Sequence, residues 1–252
     1  MITRVHHVGV VVRALAAAYP FWRDTLGLPV VREAEVPDQG VRAALLACGP
    51  GEIELLEPTA DDTGVARFLA RRGEGLHHLC LESDDVAREV KRLWATGVGL
   101  IDNQPRQGLA GLVAFVHPRS CAGVLVELAT PIDAAPLPKT MLALSAVHLI
   151  VEHVRSGSQL YRDLFGLAVS LADPEWRIAQ LSVGAVTLQF ASTTTTLGPP
   201  GLSTVRLAAA DVGAVATRLE GRGLPYRKWS GGLVLGPDGT SGVPLIIQQP
   251  PT

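Results

Sequence analysis

The stretch VHHVGVVV, residues 5–12, places a pair of histidines directly before an apolar run, and LHHLCLE, residues 76–82, repeats that arrangement. The second histidines of the two pairs, His7 and His78, stand 71 positions apart. Short apolar runs rich in β-branched residues are typical of strands. Polar residues at the start of a core strand do not improve its packing. The recurring pair therefore indicates a function that requires imidazole side chains at that place.

A second repeat has a longer period. The segment FWRDTLGLPVV at 21–31 resembles LYRDLFGLAVS at 160–170, 139 positions later, and each follows a strand that contains histidine. Self-similarity at a fixed period indicates duplicated structural modules. We therefore expect a metal-binding module at 1–132, a Pro- and Ala-rich linker at 133–145 and a degenerate second copy at 146–252.

Each module also divides in half, because a strand, a helix and about three strands appear twice in it. The helix in DVAREVKRLWATG is predicted from apolar residues at helical spacing, Val86, Val90 and Leu93, and from Gly97 as its stop. The same reasoning ends the first helix at Gly27. The pattern predicts an α+β fold built from strand–helix–three-strand units.

Alternation along the strands assigns four polar residues to one face. Side chains alternate between the two faces of a strand, so the apolar residues next to each polar one turn toward the helices. The four residues that turn the other way are His7, Glu54, His78 and Glu127. If the sheet curls, that face is concave and the four side chains converge.

Two imidazoles and two carboxylates are the ligand types that bind a divalent Fe, Co, Ni, Mn or Zn ion. Each residue alone is more often structural, but His7 precedes Glu54 by 47 positions and His78 precedes Glu127 by 49. Four protein ligands on an octahedral ion leave two positions for a chelating substrate, whose carbonyl the ion would polarise. We predict one divalent metal ion per chain.

Composition excludes several classes of protein. The 252 residues are 47% hydrophobic and 18% charged, which is enough for a sizeable core, and the net charge of -2 argues against nucleic-acid binding. The sequence has no apolar run of about 18 residues, so we expect no transmembrane helix. The N-terminal stretch is interpreted as a strand and not as a signal peptide. Three cysteines without CxxC spacing suggest reduced thiols and a cytoplasmic protein.

Residues 3–130 resemble the methylmalonyl-CoA epimerases of the vicinal oxygen chelate superfamily, which includes glyoxalases, bleomycin resistance proteins and dioxygenases. The segments RRGEGLHH at 71–78 and HPRSCAGVLVEL at 117–128 carry the most specific part of the resemblance. It implies tandem vicinal oxygen chelate modules built from four βαβββ units, with curved mixed sheets that form a cup. It also maps the family's metal ligands onto the four residues named above, although glutamine often stands in place of Glu54. The ion so implied is Co, Mn, Ni, Fe, Zn or Mg.

The resemblance further implies acid–base chemistry at a carbon α to a carbonyl. The metal would chelate a malonyl-type thioester, and Glu127 would take the α-proton on one face as well as bind the ion. Epimerisation also needs a proton donor on the other face. Bacterial relatives carry a second glutamate shortly after the QGV turn, where this chain has Ala43, but not every relative has that glutamate, so its loss does not exclude epimerase activity. A water, Glu33, Glu35 or Asp38 is left as a substitute.

The second module keeps only part of the ligand set. His148 and Gln189 match His7 and Glu54, whereas Thr204 and Ile246 stand where the second histidine and the second glutamate would be. We therefore expect no tight metal site there. The second copy is predicted to pack on the first as an intramolecular pseudo-dimer, and a further homodimer is left open.

These observations predict a cytoplasmic, metal-dependent isomerase, with methylmalonyl-CoA epimerase as the leading case. Its substrate would be an acyl-CoA or another 1,3-dicarbonyl compound, and no nucleic-acid or membrane partner is expected. One alternative is a glyoxalase-like or natural-product tailoring enzyme of the same fold. Another is a small-molecule binding or resistance protein, which the complete ligand set disfavours. A ring-cleaving dioxygenase fits less well, because such sites use two histidines and one carboxylate.

Overall fold

The computed structural model describes residues 1–132, 136–173, 175, 177–194 and 198–250. Residues 133–135 of the predicted linker therefore lie outside the described residues. Within these ranges, no helix has the length and apolar character needed to cross a membrane.

The first repeat forms one eight-stranded sheet. Its strands are β1 (Ile2–Val11), β2 (Val30–Val36), β3 (Val41–Cys48), β4 (Gly51–Pro58), β5 (Gly75–Ser83), β6 (Arg106–Gly108), β7 (Gly111–Val116) and β8 (Leu125–Thr130). They lie in the order β2-β3-β4-β1-β5-β8-β7-β6. The strand β5 pairs with β8 in parallel, whereas β2, β3 and β4 pair antiparallel, so the sheet is mixed.

The second repeat forms a sheet of the same topology. Its strands are β9 (Leu142–Val151), β10 (Ala168–Ala172), β11 (Ile178–Val183), β12 (Val186–Ser192), β13 (Gly201–Ala209), β14 (Arg227–Trp229), β15 (Gly232–Leu235) and β16 (Leu245–Gln248). Their order, β10-β11-β12-β9-β13-β16-β15-β14, repeats that of the first sheet. The predicted fold class is confirmed: two mixed sheets arise from four strand–helix–three-strand units.

Five α-helices lie in the described part of the chain. They are α1 (Leu15–Tyr19), α2 (Gly64–Arg72), α3 (Val86–Ala95), α4 (Val154–Phe165) and α5 (Val212–Gly221). Short 3₁₀ turns lie at Pro37–Gln39 and Pro118–Ser120. Four of the helices follow the first strand of a unit, whereas α2 joins β4 to β5 and has no counterpart helix among the described residues between β12 and β13.

The helix boundaries follow from local chemistry. The Asp85 side chain accepts the Arg88 backbone N–H and caps α3, and Gly97 just beyond its end takes a positive φ of 77°. The first helix changes form after Tyr19 and continues as a π-helical turn over Pro20–Thr25. Proline has no N–H to donate, so it disturbs the regular hydrogen-bond pattern there.

The chain divides into two compact units, and each contains half of each repeat. The first unit comprises Met1–His7, His78–Ala135 and Ala146–Ser203, and the second comprises Val8–His77, Pro136–Ser145 and Thr204–Thr252. The modules at 1–132 and 146–252 with a linker at 133–145 stay a prediction from the sequence repeat.

Within the first unit, the helix of the second repeat contacts the first repeat. The Tyr161 hydroxyl on α4 is fully buried and donates a hydrogen bond to the Cys121 carbonyl at 3.3 Å. The next residue, Ala122, adopts a positive φ of 52° in the turn before β8. Buried tyrosine hydroxyls need a partner, so this bond fixes the helix against that turn.

Within the second unit, the helical segment of the first repeat contacts a turn of the second repeat. Trp22, the counterpart of Tyr161 in the sequence repeat, donates from its indole Nε1 to Ser241 Oγ at 3.2 Å. Ser241 has a positive φ of 53° and occupies the turn before β16. Each unit therefore contains the same helix-to-turn contact, formed with the roles of the two repeats exchanged.

Candidate metal centre

Three predicted ligands meet at one point. His7 Nε2 on β1 lies 2.9 Å from His78 Nε2 on β5. Glu127 Oε2 on β8 lies 3.0 Å from the His7 nitrogen and 3.2 Å from the His78 nitrogen. Because β5 and β8 run in parallel with Cys80 opposite Glu127, the side chains of His78 and Glu127 leave the sheet on the same face.

Glu54 on β4 completes the cluster. One ligand atom from each of His7, Glu54, His78 and Glu127 lies within 4.8 Å of the others. The four residues are between 0% and 6% exposed, so the carboxylates are held away from bulk water. Buried charges of this kind are stable only when they are paired or coordinate a metal.

The spacing of the donor atoms fits a divalent ion. Nitrogen and oxygen ligands bind such ions at about 2.1 Å, which separates neighbouring ligands by roughly 3.0 Å at right angles and 3.4 Å at the tetrahedral angle. The three distances among His7, His78 and Glu127, from 2.9 to 3.2 Å, lie close to these values. Glu127 Oε2 is buried and has no hydrogen bond of good geometry in the described part of the chain. An ion would satisfy that atom.

The cluster also controls the charge of Glu127. Burial by itself raises the pKa of the Glu127 carboxyl, but the close contacts with His7 and His78 outweigh it and hold that pKa well below its usual range. The carboxylate is therefore ionised at neutral pH. An ionised carboxylate beside two imidazoles is the form that a metal ion requires.

His6 lies next to the ligands and was not predicted to take part. Its Nδ1 is 2.9 Å from Nδ1 of His7, and its side chain is 4% exposed. A metal-ligating histidine usually uses its second ring nitrogen in a hydrogen bond that fixes the ring. The HH pair in the sequence is the signal that could have indicated this contact. It was missed because adjacent residues of a strand normally point to opposite faces.

His77 and His78 each contact an aromatic ring. The His78 ring meets Phe115 edge-on with centroids 5.5 Å apart. His77 instead packs against Phe68 of α2 at 5.0 Å and lies outside the ligand cluster. The ring contact with Phe115 restricts the orientation of His78.

Ala43 occupies the place expected of the second base. It pairs with Leu56, two positions from the pair formed by Leu45 and Glu54, so Ala43 and Glu54 share a face of the sheet. Ala43 is 1% exposed. The position is therefore on the ligand side but carries no proton donor.

The acidic residues near Ala43 do not replace that base. Glu33 and Glu35 flank Ala34, the register partner of Ala43, so they leave β2 on the opposite face. Glu33 accepts hydrogen bonds from Tyr19 and Arg42 at 2.5 Å each, and these contacts lower its pKa.

Asp38 lies in the exposed turn Pro37–Gln39, beyond the end of β2. Of the substitutes considered from the sequence, a water is therefore the one that the strand register favours.

The second sheet carries a different set at the matching positions. His148 on β9 and Gln189 on β12 are register partners. Arg206 pairs with Ile246 in parallel strands β13 and β16, as Cys80 pairs with Glu127 in the first sheet. Thr204 is two residues before Arg206 on the same face. These residues do not belong to a group of described side chains that could hold a metal ion.

Comparison with known proteins agrees with this description. Residues 6–116 match the model of the Glyoxalase/Bleomycin resistance protein/Dioxygenase superfamily. The mitochondrial methylmalonyl-CoA epimerase of Mus musculus is 35% identical over 127 residues, which cover 50% of this chain and 71% of that relative.

Two solved structures extend the comparison. A variant of Streptomyces coelicolor methylmalonyl-CoA epimerase in complex with 2-nitronate-propionyl-CoA is 35% identical, with a TM-score of 0.51, and the match covers 53% of this chain and 100% of that one. A variant of 4-hydroxymandelate synthase from Streptomyces coelicolor has a TM-score of 0.70 over 98% of this chain and 92% of its own. At 17% identity it shows the fold alone. The chain therefore belongs to the glyoxalase/bleomycin resistance protein/dioxygenase superfamily, with an epimerase-like first repeat and a second repeat of the same fold.

Proposed function

We propose that the chain is a metal-dependent isomerase that epimerises an acidic carbon α to a thioester carbonyl, with a methylmalonyl-CoA-like substrate. The observation that carries the proposal is the convergence of His7, Glu54, His78 and Glu127 on one buried point. The identity of about a third to epimerases over the same repeat supports this substrate class, because one such relative was solved with an acyl-CoA analogue.

The four ligands would hold one divalent ion, whose identity among Co, Mn, Ni, Fe, Zn and Mg is left open. Bound there, the ion supplies a Lewis acid that increases the acidity of the α-proton of a chelated substrate. The protein excludes water by burying the ligands. His6 fixes the orientation of the His7 ring through the contact between their Nδ1 atoms.

Glu127 is the proposed base. Its carboxylate has two oxygens, so it can ligate through Oε2 and accept the α-proton on the other oxygen. Its depressed pKa keeps it ionised before the substrate arrives. Returning the proton to the same face restores the substrate, and delivery to the opposite face inverts it. Since Ala43 offers no proton, a water delivers the second one.

The test is proton exchange in D2O with a single stereoisomer of a methylmalonyl thioester and the metal-loaded protein. We expect deuterium at the α-carbon to appear faster than inversion, because only one face has a protein base. Absence of deuterium uptake with the metal bound would exclude the proposal. Equal rates of uptake and inversion would show that another group serves the second face.

A second candidate function keeps the fold and the metal. Ala43 favours a glyoxalase-like or natural-product tailoring enzyme, because the loss of one base removes what a symmetrical epimerisation needs. The same metal-loaded protein would then give no exchange with malonyl-type thioesters but would act on another chelating carbonyl compound. A binding or resistance protein needs no complete ligand set, so the cluster disfavours that role.

The arrangement of the two repeats is part of the same proposal. The matched contacts of Tyr161 and Trp22 support an intramolecular pseudo-dimer, in which the second repeat takes the place of a partner subunit. A further homodimer and a cytoplasmic location stay predictions from the sequence.

A further inference from the structure

The second sheet differs from the first in the sign of its charges. The first sheet has seven carboxylates on its strands, at residues 33, 35, 52, 54, 57, 82 and 127. The strands β9 to β16 have none, and their charged residues are Arg206, Arg227 and Lys228. The strands of the first sheet also carry four arginines, at residues 4, 32, 42 and 106, so the second sheet differs in lacking carboxylates and not in having more cations. Strands whose charged residues are all cations are suited to an anion rather than to a metal ion.

Arg206 occupies the position that Cys80 has in the first sheet, next to the metal ligands. It pairs with Ile246, whereas the matching residue Cys80 pairs with Glu127. The register continues from Ile246 to Val234 and then to Arg227 on β14. One row of the sheet therefore has an arginine on β13, two aliphatic residues and a second arginine at the edge.

Among the described residues, no carboxylate forms an ion pair with the Arg206 side chain. Its Nε is buried, and in the described part of the chain that atom has no hydrogen-bond partner. Partial burial lowers the pKa of its guanidinium, and no carboxylate among the described residues offsets this effect. A partly buried cation without a partner is unfavourable, so the fold retains a group that an anion would stabilise.

The face that carries Arg206 is partly exposed to solvent. Val205 and Leu207, which flank it on β13, are fully buried on the other side of the sheet. Thr204, Arg206 and Ile246 are each partly exposed. A small molecule can therefore reach this face from solvent.

We propose that the second repeat binds an oxyanion, a carboxylate or a phosphate group, through the guanidinium of Arg206. The planar guanidinium offers five N–H donors and pairs with two oxygens of such a group at once. Thr204 adds a hydroxyl on the same face. The duplicated fold thus has a cation site in one sheet and an anion site in the other. This inference does not rest on the proposed function of the first repeat.

Calorimetric titration of the metal-loaded full chain tests it, once with inorganic phosphate and once with propionate. Arg206→Met keeps the length of the side chain but removes charge and donors, and we expect it to weaken binding roughly tenfold or more. Arg222→Met changes an exposed arginine outside the strands of the same repeat and should leave binding unchanged. The probe with the higher affinity tells whether the group is a carboxylate or a phosphate.

Arg206→Lys keeps the proposal testable if the methionine variant does not fold. Lysine retains a positive charge but cannot form the paired contact, so an intermediate affinity is expected. If phosphate or propionate binds Arg206→Met or Arg206→Lys as tightly as it binds the wild type, the proposal is overturned, because the anion would then lie elsewhere. Absence of binding by either anion would also overturn it and leave Arg206 as a solvated cation.

Discussion

The two sheets have one topology but different chemistry at the same register positions. The first brings two histidines and two glutamates together, whereas the second places Thr204, Arg206 and Ile246 at positions that match His78, Cys80 and Glu127. The hydrogen-bonded framework is set by apolar residues that both repeats retain. Duplication therefore preserved the scaffold while the ligand face changed independently.

The largest expected effect separates the repeats by one substitution in each. His78→Ala removes a ligand whose Nε2 lies 2.9 Å from that of His7, so metal affinity should fall by more than about 100-fold. His148→Ala, the matched change in the second sheet, should leave the affinity unchanged. A competition titration with a chromophoric chelator measures both. Equal losses would mean that both sheets hold the metal.

A second prediction separates the two glutamates of the first sheet. Glu127→Gln should lower the rate of α-proton exchange by about 100-fold or more, because a carboxamide cannot accept the proton. Glu54→Gln keeps an oxygen donor and should retain most of the exchange. Deuterium uptake monitored by NMR, together with the metal content of each variant, gives the result. Similar losses in both variants with the metal retained would contradict the assignment of the base.

The third prediction concerns the missing second base. Ala43→Glu places a carboxylate on the ligand face beside Leu56, and inversion should accelerate relative to deuterium uptake. Ala43→Gln has nearly the same size and should give no gain. Chiral chromatography of the thioester product measures inversion. A faster rate in both variants would indicate a change of pocket shape rather than an added base.

The smallest predicted effect tests the contact between the repeats. Tyr161→Phe removes the hydrogen bond to the Cys121 carbonyl and should lower the free energy of unfolding by about 1 kcal/mol. Tyr226→Phe removes an exposed contact with Glu220 and should change it by less than about 0.5 kcal/mol. Chemical denaturation of both variants checks the difference. Equal values would show that the buried contact does not hold the repeats together.

The sequence predicted the framework well because the framework depends on local patterns. Alternation placed His7, Glu54, His78 and Glu127 on strands with their apolar neighbours, and the structure brings these four together. The helix stop at Gly97 follows from its backbone conformation in the same local way.

Other features depend on contacts that a sequence does not reveal. The approach of His6 to His7 arises from ring orientations within one strand, which alternation does not describe. Glu33 and Glu35 were equal candidates for the second base until the strand register showed their face. The assembly of each compact unit from halves of both repeats depends on long-range packing, to which a repeat period gives no guide.

Elemental analysis of the purified chain after reconstitution tests most directly whether the first sheet alone binds a metal. One equivalent of a divalent ion per chain is the predicted result, with one equivalent again in His148→Ala and none in His78→Ala. Two equivalents per chain, or none in the reconstituted wild type, would contradict the account.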